Sequence, residues 1–284
     1  MEEKRQFPRT MVGGVSCSRM IIGTNWMLGW SHTSAAADKL IRKTCATKED
    51  MFSLLDVYMS YGVDTIMAPF DGQPVLMEAI KAVEEKYQHK MILVDTPRIN
   101  VSNTKEAYAE SAAIIKRSKE LGATFCYPHH SSVEELVNKN LQQIPRLPDY
   151  LSMVRENGMV PGLSAHMPEL IIYSDQNEYD VQSYVQIYNC MGFLMQVEIE
   201  YINSVIWNAK KPVMSIKAMA AGRCSPYVGL NFSWATLRDC DMITVGCMTP
   251  PEAQECIEIS FASFDRRKAN LEGRGSPNKT VIMK

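Results

Sequence analysis

The sequence predicts an α/β fold, a closed (β/α)₈ barrel of TIM type with an N-terminal β-hairpin. Three observations carry this. Short apolar runs alternate with amphipathic stretches along most of the chain, the strand candidates number eight, and 284 residues with 46% hydrophobic side chains suffice for one large core. Residues 1–284 are therefore read as one barrel domain, with 266–284, polar and containing Gly and Pro, as a flexible tail.

The elements follow in order. Gly13-Gly14 between two short runs marks the hairpin turn. The strand candidates are 20–25 (MIIGTN), 63–68 (VDTIMA), 91–96 (MILVDT), 124–129 (TFCYPH), 160–165 (VPGLSA), 183–189 (SYVQIYN), 212–219 (PVMSIKAM) and 242–246 (MITVG). Thr47 to Asp50 reads as a capping box, and Met51, Leu54, Leu55 and Tyr58 follow at helical spacing until Gly62. Asn103 with Glu106 repeats the device before Ile114 and Ile115, and Gly122 ends that helix. Gly158 closes another. VEIEYI invites a strand, but Ile199, Ile202, Val205 and Ile206 fit one helical face, so 197–210 is read as a helix with Glu198 and Glu200 outside. Two connections, 24–50 and 131–148, are long enough to cover a barrel mouth.

Composition narrows the function classes. The formal charge of -2 is interspersed, which excludes the basic stripe of a nucleic-acid binder. No apolar run approaches the roughly 20 residues of a membrane span, and MEEKRQFPRT lacks the apolar stretch of a secretory signal. Eight cysteines without a CxxC pair read as reduced thiols, so a cytoplasmic location is expected. Nineteen methionines suit an irregular core. The expected partner is a small-molecule substrate, with no nucleic acid and no membrane, and a homo-oligomer is allowed.

Five segments in order, SRMIIGTNWMLGW (18–30), YGVDTIMAPF (61–70), PGLSAH (161–166), KPVMSIKAMAAGR (211–223) and MITVGCMTPPEAQE (242–255), resemble the aldo-keto reductase superfamily over residues 10 to 260. The resemblance implies the barrel and a nicotinamide dinucleotide, NAD(P), held near the seventh and eighth strands. It also implies a catalytic aspartate, tyrosine, lysine and histidine. At the matching positions this chain has Met67 for the aspartate, Gly72 for the tyrosine, and no lysine in 91–101, where Arg98 is the only basic residue. The histidine survives as His129 or His130. Without the tyrosine, a carbonyl receiving hydride lacks its proton donor. The last segment offers a helix N-terminus, with Thr249 as cap and Pro250 in the first turn, that could seat a phosphate; Glu252 and Glu255 oppose it.

In a barrel of this kind, chemistry sits at the carboxyl ends of the strands. Those ends bring forward Asn25, Trp26, Asp95, His129, His130, His166, Asn189 and Lys217, with Trp30 and His32 in the first long connection. Asp95, His129 and His166 fall on adjacent strands and could ligate a divalent metal ion, or hydrogen-bond in a polar mouth without one. Lys217, approached by apolar residues, could act as acid, base or Schiff-base nucleophile, or pair with Asp95 across the barrel. Trp26 and Trp30 could stack on a sugar ring or anchor their loop. His129, His166, Lys217 and Asp95 are thus the catalytic candidates, and Asn25, Trp26, Trp30, His32, His130 and Asn189 the substrate-binding ones. The leading expectation is a non-redox enzyme (isomerase, epimerase, lyase or hydrolase) acting on a small hydroxylated carbonyl or sugar-like compound. The alternatives are a divergent NAD(P)-dependent oxidoreductase and a ligand-binding pseudo-enzyme.

Overall fold

In the computed structural model, which describes residues 4–271, the chain forms a two-stranded hairpin and a parallel barrel. The hairpin is β1 (Arg9–Val12) and β2 (Val15–Ser18), turned by Gly13 and Gly14 at φ +54° and +85°, the paired positive values a tight primed turn requires. The barrel strands are β3 (Met20–Gly23), β4 (Thr65–Ala68), β5 (Ile92–Asp95), β6 (Phe125–Cys126), β7 (Val160–Pro161), β8 (Leu163–Ser164), β9 (Tyr184–Ile187), β10 (Val213–Ile216) and β11 (Met242–Gly246). Their order is β7-β6-β5-β4-β3-β11-β10-β9-β8. β7 and β8 flank Gly162 in a single stretch; the first half bonds β6 and the second β9, so one bent stave closes the ring. All eight sequence-predicted strands are present in register with their neighbours.

Helices α1 (Asn25–Leu28), α2 (Ala35–Thr44), α3 (Lys48–Ser60), α4 (Pro74–Tyr87), α5 (Lys105–Glu120), α6 (His130–Val133), α7 (Leu147–Glu156), α8 (Glu169–Gln176), α9 (Ile199–Asn208), α10 (Pro226–Thr236) and α11 (Pro250–Phe264) fill the connections. The predicted capping box of α3 is formed by Thr47 and Asp50. The start of α5 differs by one residue: Thr104, not Asn103, presents its side-chain oxygen to the N–H of Ala107 at 3.1 Å. α9 takes the helical option and buries Ile202, Val205 and Ile206. The first long connection carries α1 and α2; the second carries α6, a 3₁₀ turn at Glu134–Leu136 and an isolated bridge between Asn138 and Gln143.

Side chains inside the ring form their own core. Ile21, Met67, Val94, Phe125, Tyr127, Val185, Met214 and Met242 pack there, and Val12 and Cys17 of the hairpin join them from below. Gly162 is dictated by this packing, since a Cβ there would sit 2.3 Å from the Tyr127 ring. Beneath the strands, Arg238 grips buried Asp241 at 2.8 and 2.9 Å and donates to the carbonyls of Ala209 and Lys211, while Asp241 accepts the N–H of Val213. Arg19 reaches the carbonyls of Asp241 and Arg238, tying the starts of β3, β10 and β11 together. The floor is stapled and stoppered, which leaves the opposite face for ligands.

Beyond α11, Arg267 forks onto Glu258 at 2.7 and 3.0 Å and Ala269 is buried. The remainder of the stretch read as a tail, 272–284, lies outside the described residues.

Candidate active site

A cavity of about 1360 Å³ opens at the carboxyl ends of the strands. Asn25, Trp26, Trp30, His32, Asp95, His129, His130, His166 and Lys217 all line it, so nine of the ten residues singled out in the sequence share one opening. Asn189 is the exception. It is fully buried after β9, accepts the N–H groups of Met191 and Phe193 and donates to the Phe193 carbonyl; its amide holds that turn outside the cavity lining.

Each lining group has a local cause. Asn25 starts α1 and places its amide nitrogen 3.0 Å from His32 Nε2. The Trp26 ring lies over Gly222 and Gly246, where a Cβ would come within 3.4 and 3.3 Å, so this tryptophan is anchored against backbone while Trp30 remains partly exposed. Asp95 ends β5, accepts the N–H of Phe70 at 3.1 Å and is almost entirely buried; burial pushes its carboxyl up despite that bond. His129 precedes α6 and engages Ser131 Oγ through Nδ1 at 2.8 Å.

Lys217 follows β10 in a left-handed backbone, φ +63°, which a non-glycine residue adopts only when its surroundings impose it. Burial lowers its ammonium's pKa, and among the described residues Nζ has neither an ion pair nor a hydrogen bond. Among the described residues the pairing with Asp95 does not form, and Asp95 accepts the Phe70 N–H instead. Nearby, burial and the charge of Lys217 together hold His32 below the ordinary imidazole value.

The ligand set expected from the sequence, Asp95, His129 and His166, does not converge either. Asp95 lies back against Phe70, and Nδ1 of His129 is taken by Ser131. Among the described residues, the group whose donor atoms come within 4.8 Å of one another is His130, Glu134 and His166. The rings of His130 and His166 stack at 3.5 Å. Glu134 Oε1 accepts the N–H groups of His166 and Met167 at 2.6 and 3.0 Å. Burial raises the Glu134 carboxyl, but His130 and those two amides outweigh it and leave it below its ordinary value. Sequence reasoning passed over Glu134; the signal was its spacing of four from His130, which one helical turn brings to the same side.

The cradle expected for a dinucleotide's phosphates is already filled. Thr249 and Pro250 open α11 as the sequence suggests, yet the carboxylate of Glu252 accepts the N–H groups of Met248 and Thr249 at 2.8 and 3.2 Å. A phosphate there would meet an occupied donor pair and a like charge, so these residues do not fit it.

No protein-family model matches the chain, and no curated protein matches it in sequence. Solved structures do. A protein of Pseudomonas aeruginosa assigned as an aldo-keto reductase superposes with a TM-score of 0.65 at 15% identity, over 93% of this chain and 98% of its own. The fold is aldo-keto reductase-like. Gox0644 in its apo form follows at 0.59 and 9% identity, over 96% and 98% of the two chains. The Amycolatopsis orientalis BexX/CysO complex gives 0.53 and 11%, over 95% and 100%. Met67 is packed into the interior core and Gly72 turns at φ +76°.

Proposed function

We propose that this chain is a non-redox enzyme of isomerase, epimerase or lyase type, acting on a small hydroxylated carbonyl compound of sugar-like kind through Lys217. The observation that carries the reading is the state of that lysine: a desolvated amine without a counter-ion among the described residues, held in a strained backbone, at the edge of a cavity lined by imidazoles. Burial lowers the cost of deprotonation, so a larger fraction of the amine is nucleophilic at neutral pH.

The chemistry follows. The Lys217 nitrogen attacks the carbonyl carbon, the carbonyl electron pair moves to oxygen, and loss of that oxygen as water leaves an imine. Once protonated, the imine nitrogen receives the electron pair of a neighbouring C–H or C–C bond, whose proton or carbonyl fragment departs, to give an enamine; a proton then adds back at carbon, and water adds to the restored imine to release product and the amine. His129, whose burial and neighbouring His130 keep it neutral to about pH 4, can take the proton. Trp30 and the Asn25–His32 pair supply a flat face and hydrogen bonds for hydroxyl groups.

Borohydride reduction in the presence of small aldehydes, ketoses and 2-oxo acids tests this. A reduced adduct on the peptide containing Lys217, absent from Lys217→Met, is the expected result; no adduct across the panel removes the reading. A second reading, a divergent NAD(P) oxidoreductase with His129 and Lys217 in place of the lost acid, draws on the cavity's size, since single-ligand pockets run to about 1,000 Å³. Quenching of tryptophan fluorescence by micromolar NADPH would favour it.

A further inference from the structure

We infer that His130, Glu134 and His166 form a binding site for one divalent ion of the zinc class at the cavity wall. Three independent features point there. The donors already lie within 4.8 Å of one another, and two imidazoles with one carboxylate are the set that leaves zinc open to a further ligand. Nδ1 of His130 is buried and has no hydrogen-bond partner among the described residues; the Glu134 oxygen near it, at 3.5 Å, is too far and poorly aligned to satisfy it. The carboxylate is also oriented. Its Oε1 is fixed by the amides of His166 and Met167, which ties the carboxylate on the α6 side to the segment carrying His166 and leaves Oε2 on the side of His130. Such an outer hydrogen bond is the usual means of holding a carboxylate ligand.

The site is distinct from the Lys217 amine but opens on the same cavity. Two nitrogens on a tetrahedral ion at ~2.1 Å stand ~3.4 Å apart, so binding draws the donors together and turns the stacked rings edge-on to a common point. The three residues leave at least one position free, into which a substrate hydroxyl or carbonyl oxygen can enter and be polarised. That last role rests on the proposed carbonyl chemistry; binding of the ion itself does not.

The test uses the whole chain, stripped with a chelator, titrated with zinc and separately with cobalt, with magnesium as control. One equivalent of zinc retained through desalting, and a visible cobalt spectrum of tetrahedral or five-coordinate type, are expected. His130→Asn, Glu134→Gln and His166→Asn should each weaken zinc by about 100-fold or more, since loss of an outer partner alone costs ~10–100-fold. Asp95→Asn and His129→Ala should bind as the unaltered protein does. The cobalt spectrum of the unaltered chain needs no variant and survives any folding defect in them. Failure to retain zinc, or retention undiminished in all three ligand variants, overturns the site. Borohydride trapping at Lys217 with chelator present reports separately on the proposed reaction, so the two can fail independently.

Discussion

His129 and His166 stay unprotonated down to about pH 4 and about pH 3, because burial strips water from the charged ring and His130 repels a second positive charge. An ordinary histidine in the unfolded chain takes its proton near pH 6.5. Between those limits the unfolded chain binds more protons than the folded one, so stability is full above pH 6.5 and falls as the solution is acidified. Thermal unfolding of chelator-treated protein should therefore show a lower midpoint at pH 5 than at pH 7. The double variant His129→Gln, His166→Gln should show a smaller drop; an equal drop would place the acid sensitivity elsewhere. At this scale the crowding of histidines at strand ends was legible in the sequence, because strand ends follow from apolar runs. Partner choice was not. Whether Asp95 faces Lys217 or the Phe70 amide depends on rim backbone that no sequence pattern encodes, and Asn189 was drawn off by the turn that follows it.

Elements were the most readable level, since strand and helix periods and caps are local. The capping box at Thr47, the cap at Thr249 and the glycine stops stand where the residues place them. The bend in the fifth stave was not foreseen, although its cause lies in one residue. Gly162 lets Tyr127 lie across the strand and bond Ser183, and a methyl group there would strike the ring. Gly162→Ala should cost about 1–3 kcal/mol in chemical denaturation, as overpacked cores do. Pairing it with Tyr127→Leu should recover part of that loss; no recovery would mean that backbone freedom, not the ring, demands the glycine.

Across the whole molecule, the buried ionic knot and the candidate site occupy opposite ends of the barrel. The Arg19, Arg238 and Asp241 knot lies below the strands, and the imidazoles and amine lie above. Arg238→Met should leave the Asp241 carboxylate buried with its main partner gone and lower unfolding free energy by about 3–5 kcal/mol. The protein that remains folded should still trap carbonyl compounds at Lys217, which equilibrium denaturation and mass spectrometry can check on one sample.

The hairpin that packs Val12 and Cys17 under the interior side chains also sets the traffic of the molecule. With that lower door shut, whatever reacts must come in and depart by the same rim, past Trp30 and the loop that carries it. On the proposed carbonyl chemistry a spent molecule blocks its successor: product should compete directly with substrate, and bulk added at the rim should slow arrival and release alike.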